Sequence, residues 1–168
     1  MSEFKQFVVQ HVDSLLRTAY LITWDEREAE DLVQECLFKV ARRWPRVSSM
    51  DQPAAYARRI LVNLAIDAGP HRARRRRELE PVLGAAEPSS DPLGLLHDRA
   101  DLMEALAGLP REQRAVLVLR YFNDLTEAQA ATTLGCSEGT VKSRASRGLT
   151  RLREALSPLP IESGGPQP

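Results

Sequence analysis

Apolar side chains recur at helical spacing along nearly the whole chain, and the alternation typical of β-strands is weak. One such stretch runs from Phe4 to Ile22, and a second runs from Asp25 to Trp44, just before Pro45. After a short loop, Arg46–Gln52, Pro53 suits the first position of a third helix, because its missing N–H leaves no hydrogen bond unmade there. This third stretch is apolar on nearly all sides, as is typical of a helix at the centre of a bundle.

The helical pattern is interrupted by the segment Glu80–Pro92, which is rich in proline, alanine and serine and cannot build a core. Helical spacing resumes near Leu95 and continues to about Leu156, and the chain then becomes rich in proline and glycine. The pattern therefore predicts an all-α protein with two helical domains and a flexible linker. The predicted boundaries are a first domain at 1–79, a linker at 80–94, a second domain at 95–157 and a disordered tail at 158–168.

Within the second domain, the sequence predicts two helices joined by a tight turn at residues 135–137. Thr126 and Gln129 have the spacing of a capping box at the start of the first helix. Gly135 lies where a helix must end in a left-handed residue, and Ser137 is suited to cap the second helix. This arrangement is typical of a helix-turn-helix, the element that places a short helix in the major groove of DNA.

The second of these helices is amphipathic and basic. Its inward face carries Val141, Ala145, Leu149, Leu152 and Leu156, and its outward face carries Thr140, Ser143, Ser146, Arg147 and Thr150, with Lys142 and Arg144 at the boundary. Hydroxyl and guanidinium groups suit contacts with phosphates and base edges. The alternative interpretation is a core helix with a solvated basic face.

Charge is segregated along the chain although the formal net charge is +0. Residues 58–77 are rich in arginine and residues 25–35 are rich in acids, which suggests different partners for different faces.

Cys36 and Cys136 lack metal-ligand spacing and are expected to be small buried side chains, so no metal or cofactor is predicted. No apolar run is long enough to cross a bilayer and no signal peptide is evident, which predicts a cytoplasmic protein without membrane insertion.

One face of the second predicted helix combines charge with an aromatic ring. The residues on this face are Asp31, Gln34, Glu35, Arg42 and Phe38. A large aromatic side chain surrounded by carboxylates favours a protein-docking site. Incidental exposure of a single ring is the alternative interpretation.

The acidic-aromatic helix, the arginine-rich patch, the linker and the helix-turn-helix follow one another in this order along the chain. Together they are far more specific for one protein family than any of them is alone. With them the chain resembles the extracytoplasmic-function (ECF) type of bacterial RNA polymerase sigma factor, in the sigma-70 family, and most of all the small actinomycete members. The resemblance covers about residues 4–156. The segments that carry it are AEDLVQECLFKVARRW at 29–44, YARRILVNLAID at 56–67 and LPREQRAVLVLRYFNDLTEAQAATTLGCSEGTVKSRASRGLTRLR at 109–153.

The resemblance implies a sigma-2-like bundle, a sigma-4-like helix-turn-helix domain and a promoter-specificity subunit without catalysis of its own. In that family a DLxQE segment docks on the clamp coiled-coil of the largest polymerase subunit. The corresponding positions in this chain are Asp31, Leu32, Gln34 and Glu35, followed by Phe38. The resemblance also implies contact with the polymerase flap and inhibition by an anti-sigma factor.

For DNA, the resemblance implies that the first domain opens the promoter −10 element and holds an extruded base in a pocket. The implied positions are Val47, Ser48, Ser49, Met50, Arg58, Arg59, Asn63, Arg74, Arg75 and Arg76. The second domain would read the −35 element through Thr140, Lys142, Ser143, Arg144, Ser146 and Arg147. One departure is Gly69-Pro70, which is expected to break the helix before the arginine run, leaving that run on a separate turn or as a solvated basic tail.

Two other functions are open on the residues alone. A stand-alone transcription regulator would bind duplex DNA without polymerase, usually as a dimer on a palindrome, but the sequence has no evident dimerisation helix. A nuclease would use the acids Asp25, Glu26, Glu28, Glu30 and Asp31. Those acids crowd a helix start, where they favour the helix dipole, and no other group is placed to complete a catalytic site.

Overall fold

A computed structural model describes residues 2–67 and 100–156 of the protein, and the regular secondary structure of these two ranges is entirely helical. The helices are α1 (Glu3–Thr23), α2 (Glu26–Arg42), α3 (Trp44–Val47), α4 (53–67), α5 (Ala100–Ala107), α6 (Arg111–Leu117), α7 (Glu127–Leu134) and α8 (Glu138–Leu156). The predicted all-α fold is confirmed. The predicted linker, the Gly69-Pro70 break, the arginines of residues 72–77 and the tail lie outside the described residues.

The first domain consists of α1 to α4, and local signals set its helix ends. The hydroxyl of Ser2 accepts a hydrogen bond from the Lys5 N–H at the start of α1. Trp24 ends α1 in a left-handed conformation, with φ of 55°. Asp25 then caps α2 by accepting hydrogen bonds from the N–H groups of Arg27 and Glu28. These caps satisfy backbone groups that a helix end leaves unpaired.

The segment between α2 and α4 differs from the predicted loop. The helix α2 ends at Arg42, and a further helical turn, α3, occupies residues that include the first part of the expected loop. Pro45 lies in the first turn of α3, where proline costs no hydrogen bond, so it starts a helix here instead of only ending one. The irregular segment is therefore limited to residues 48–52.

The second domain packs α5, α6 and α7 against the long helix α8. After Leu117, α6 continues into a π-helical turn, Val118–Phe122, which ends at Asn123. Gly148 is buried on α8 and lets the helix approach Leu117 closely. Leu156, expected on the inward face of α8, is 42% exposed because it lies at the end of the helix, beyond the packed core.

The two domains also contact each other. The C-terminal half of α1 packs against α6 and the π-helical turn, and the buried apolar residues of both domains form one continuous core. This packing places the helix-turn-helix beside the first domain. No helix in the described ranges is long and apolar enough to cross a membrane.

Candidate nucleic-acid and protein interfaces

The helix α2 presents an exposed acidic and aromatic face, as the sequence predicts. Asp31, Gln34 and Phe38 are exposed along it and Glu35 is half-buried. Phe38 has 64% of its surface exposed, and the Arg42 guanidinium lies 5.9 Å from its ring centroid. An apolar ring with charges around it is a surface suited to a protein partner.

Leu32, which the family motif includes, has a different position. Its side chain is completely buried in the core of the first domain. Adjacent residues of a helix point about 100° apart, so Asp31 can face solvent while Leu32 faces the core. Leu32 therefore anchors α2, and only the other motif residues are accessible to a partner.

The loop assigned to the −10 element lies beside an open cavity of about 560 Å³. This volume falls in the range of small-molecule sites, about 300–1,000 Å³. The walls carry donors and acceptors from three parts of the fold: Gln10 and His11 of α1, Asp51 and Gln52 of the loop, and Arg58 of α4. Of the positions implied for the −10 element, Arg58 lines the cavity, whereas the loop positions 47–50 do not. The α1 wall was not predicted, because α1 is distant in sequence.

Val47, the last residue of α3 before that loop, is completely buried, so its side chain is not available to DNA. Ser48 and Ser49 are exposed, and their hydroxyls donate to the carbonyls of Pro45 and Arg46. Met50 is half-buried. Of the predicted loop residues, the two serines are the most accessible.

The predicted DNA contacts of α4 point in different directions. Arg58 lines the cavity, and its partial burial lowers the pKa of the guanidinium from its ordinary value. Arg59 is exposed. The Asn63 amide donates to the carbonyls of Arg59, at 2.8 Å, and Thr133, at 3.1 Å, so it contacts the first helix of the helix-turn-helix. Arg74, Arg75 and Arg76 lie outside the described residues.

The helix-turn-helix has the local geometry that its sequence predicts. The Thr126 hydroxyl accepts from the Gln129 N–H at 3.1 Å, and the Gln129 side chain accepts from the Thr126 N–H at 2.9 Å. Gly135 ends α7 with φ of 66°, the left-handed conformation that glycine adopts without strain. The Ser137 hydroxyl accepts from the Thr140 N–H at 3.1 Å and so caps α8. The predicted caps and turn are confirmed.

The outward face of α8 is basic and polar. Lys142, Ser143, Ser146 and Arg147 are exposed, whereas Thr140 and Arg144 are half-buried. Two ion pairs hold cations of this helix to neighbouring helices: Lys142 pairs with Glu127 at 3.5 Å, and Arg144 pairs with Glu112 at 3.4 Å. These exposed pairs are weak, so a phosphate can replace the carboxylate at low cost.

The acids at the start of α2 have structural functions. Asp25 caps the helix, and Glu28 forms an ion pair with Arg111 of the second domain at 2.7 Å. Within residues 2–67 and 100–156, no three His, Cys, Asp or Glu side chains come together in a group that could hold a metal ion. Cys36 is buried, its thiol donates to the Ala57 carbonyl, and burial raises the pKa of Cys36 to about 12.

Comparison with known proteins agrees with this arrangement. The chain matches Sigma-70 region 2 over residues 7–78 and Sigma-70, region 4 over residues 99–152. It is 36% identical over 154 residues to the RNA polymerase sigma-E factor of Streptomyces coelicolor, covering 92% of this chain and 86% of that one. It is 33% identical over 160 residues to the ECF RNA polymerase sigma factor SigL of Mycobacterium tuberculosis, covering 90% of this chain and 88% of that one.

Among solved structures, the chain is similar to the sigma factor RpoE of Bartonella quintana, determined in complex with the anti-sigma factor NepR. The two share 28% identity with a TM-score of 0.68, over 93% of this chain and 98% of that one. Both the order of the two regions and the fold are thus shared with sigma factors. The chain belongs to the sigma-70 family of RNA polymerase sigma factors, in its ECF group.

Proposed function

We propose that this protein works as an alternative sigma factor through three surfaces on its two domains. It binds core RNA polymerase, recognises the −10 and −35 elements of its promoters and starts transcription of a specific set of genes. The observation that carries the proposal is the separation of surfaces. An acidic-aromatic face lies on α2, and a basic helix-turn-helix face lies on α8 of the same chain.

The face of α2 is the proposed docking site for the clamp coiled-coil of the polymerase. Phe38 supplies the apolar contact, and Asp31, Gln34 and Glu35 supply polar groups one and two helical turns before it. Aromatic side chains that become fully buried on binding provide much of the affinity at protein interfaces. The flap of the polymerase is the expected second contact, with the second domain.

The cavity beside residues 48–52 is the proposed site for an extruded base of the −10 element. Bases that leave the stack are held by contacts to their edges, and the cavity offers Gln10, His11, Gln52 and Arg58 for such contacts. Arg59 and the loop residues Ser48 and Ser49 are exposed and lie close in sequence to residues that line the cavity. Their side chains suit contacts with the DNA backbone. Arg74, Arg75 and Arg76 extend this proposal beyond the described residues.

The outward face of α8 is the proposed reader of the −35 element. Ser143, Ser146 and Arg147 suit contacts with base edges or phosphates. Lys142 suits a contact with a phosphate once its ion pair with Glu127 is broken. Thr140 and Arg144 flank this face and suit contacts with the DNA backbone.

The domain boundaries expected from the sequence, at residues 79, 95 and 157, remain proposals. The two matched regions, residues 7–78 and 99–152, support them.

An anti-sigma factor is the proposed regulatory partner. The solved relatives RpoE and CnrH were both determined in complex with such factors, NepR and the cytosolic domain of CnrY.

We expect the protein to act by binding, without catalysis, and to work in the cytoplasm with the polymerase. A stand-alone regulator is disfavoured because the two matched regions are those of a polymerase subunit.

Promoter selection from a random DNA library, using the protein with core polymerase, tests the proposal and supplies a DNA fragment for binding assays. We expect Arg147→Ala to weaken binding to the selected −35 duplex, and Arg153→Ala, in the last turn of α8, to be the matched control. If Arg147 contacts a phosphate, the variant loses the same affinity for every DNA sequence, and the slope of log affinity against log salt concentration falls in magnitude by about one. If it contacts a base, the loss is about 1–3 kcal/mol at one base pair. Equal binding by both variants would contradict the assignment.

A further inference from the structure

The first turn of α8 includes an acidic side chain that has no function among the DNA contacts proposed above. In a helix-turn-helix, the N-terminal residues of the second helix contact base edges in the major groove. The −35 contacts proposed for α8 begin at Thr140, whereas the helix itself begins at Glu138. Residues 137–139 therefore lie at the end of α8 that is expected to be closest to the bases.

Two polar side chains of this turn already have partners within it. The Ser137 hydroxyl accepts from the Thr140 N–H at 3.1 Å, and its oxygen lies 2.9 Å from the hydroxyl oxygen of Thr140. These contacts cap the helix. Between these two residues, Gly139 has no side chain to offer. Of residues 137–140, Glu138 thus carries the polar group that is left for a base.

The Glu138 carboxylate is exposed, and it forms no ion pair or side-chain hydrogen bond with any residue in the ranges 2–67 and 100–156. A lysine four residues towards the C-terminus is a favourable partner for a glutamate on a helix. Lys142 occupies that position, but it pairs instead with Glu127 of α7, at 3.5 Å. The fold therefore satisfies the lysine from another helix and leaves the glutamate available at the start of α8.

The neighbouring residue, Gly139, permits a close approach of this turn to another molecule. The nearest atom to a Cβ at this position would be the Ser137 Oγ, at 3.8 Å, so the space outside the helix backbone is open. Helical spacing places Gly139 on the outward face, in line with Ser143 and Ser146. A backbone without a side chain at this point can lie close to a base pair, which brings the Glu138 carboxylate within reach of base edges.

A carboxylate in the major groove is selective because it accepts hydrogen bonds and, when ionised, donates none. The phosphates of DNA repel it, and an amino group at a base edge is needed to offset that repulsion. Guanine and thymine present acceptors in the major groove, and adenine presents an amino donor beside the N7 acceptor. Cytosine presents its N4 amino donor without a neighbouring acceptor. Cytosine is therefore the base that suits a carboxylate best.

We propose that Glu138 reads a cytosine in the −35 element and excludes the other bases at that position. The inference rests on the proposed sigma-factor function, to which it adds a residue that determines specificity. Glu138 acts by attraction, because it accepts a hydrogen bond from cytosine N4. It also acts by repulsion, because it disfavours a base pair that presents an acceptor at the same place.

Promoter selection from a random library with core polymerase tests this assignment in the full-length protein. We expect the wild type to select a cytosine at one position of the −35 element. Glutamine both donates and accepts, and it pairs with N6 and N7 of adenine, so Glu138→Gln should change the preferred base at that position to adenine. Glu138→Ala should reduce the discrimination between bases there by at least about fivefold and leave the other positions unchanged.

Glu154→Gln is the matched control, because it removes the same charge from an exposed position of the same helix, about four turns further along. Its selected sequences should match those of the wild type. An acid in the first turn of a helix also stabilises the helix dipole. Loss of that effect would lower the stability of both Glu138 variants and weaken their binding to all sequences, but it would not change the preferred base.

The inference and the proposed function fail in different ways. If promoters are selected but the wild type, Glu138→Gln and Glu138→Ala prefer the same base at every position, the function stands and the assignment of Glu138 is wrong. Absence of cytosine from both strands of the selected −35 element would overturn the assignment as well. If the wild type with core polymerase selects no promoter, the sigma-factor function is wrong, and the assignment of Glu138 fails with it.

Discussion

Gly148 lies where α8 comes closest to α6, and its lack of a side chain permits that approach. A Cβ atom at this position would lie 3.0 Å from the Cδ1 of Leu117, which is itself buried and held in place. At Gly139, on the same helix, the nearest atom to a Cβ would be the Ser137 Oγ at 3.8 Å. The two glycines thus differ in packing although both are helical.

We expect Gly148→Ala to lower the free energy of unfolding by about 1–3 kcal/mol, because an added methyl group overpacks the contact with Leu117. Gly139→Ala is the control, and it should change stability by no more than about 0.5 kcal/mol, because Gly139 lies in the exposed first turn of α8 and an added methyl group meets no close neighbour. Urea unfolding followed by circular dichroism measures both. A similar effect of the two substitutions would show that the α6–α8 contact is not tight.

Residue-level predictions succeed where a short pattern determines the answer. The exposure of Phe38 followed from helical periodicity, because its face of α2 is otherwise charged. Leu32 and Val47 were assigned to interfaces because they belong to family motifs, but a motif names consecutive residues while a helix or turn exposes only some of them. The burial of Arg114 was not predicted, because its partners are backbone carbonyls, which no pattern of side chains in the sequence reveals.

At the scale of elements, the helix-turn-helix was predictable because its determinants are local. Thr126, Gln129, Gly135 and Ser137 act on backbone groups within four residues of themselves. The turn α3 and the π-helical turn at Val118–Phe122 were not predicted, because packing against distant helices stabilises them beyond local propensity.

The capping box of α7 gives a test at this scale. We expect Thr126→Ala to destabilise the protein by about 1 kcal/mol, because the Gln129 N–H loses its acceptor. Thr126→Ser keeps the hydroxyl and should be close to the wild type. Thermal unfolding followed by circular dichroism distinguishes the two, and equal losses would indicate that the methyl group of Thr126, not its hydroxyl, matters.

At the scale of the whole molecule, the two-domain, all-helical architecture follows from sequence, but the packing of the domains on each other does not. The interface joins Thr18 with Asn123, Glu28 with Arg111 and Asn63 with Thr133. These partners are far apart in the chain, so no local pattern in the sequence pairs them. Only the folded arrangement shows that Asn63, which the family resemblance implies as a promoter contact, also takes part in the interdomain contact.

The docking of α2 on core RNA polymerase is the central claim at this scale, and a binding titration with purified bacterial core polymerase tests it most directly. The test variant combines Phe38→Ala and Asp31→Ala. The control is Val9→Ala, because Val9 is 65% exposed, as Phe38 is at 64%, but lies on α1 outside the docking face. We expect the wild type and the control to bind tightly and the double variant to lose about 2 kcal/mol or more, roughly 30-fold in affinity. Absence of binding by the wild type, together with specific binding of duplex DNA by the protein alone, would contradict docking and favour a stand-alone regulator.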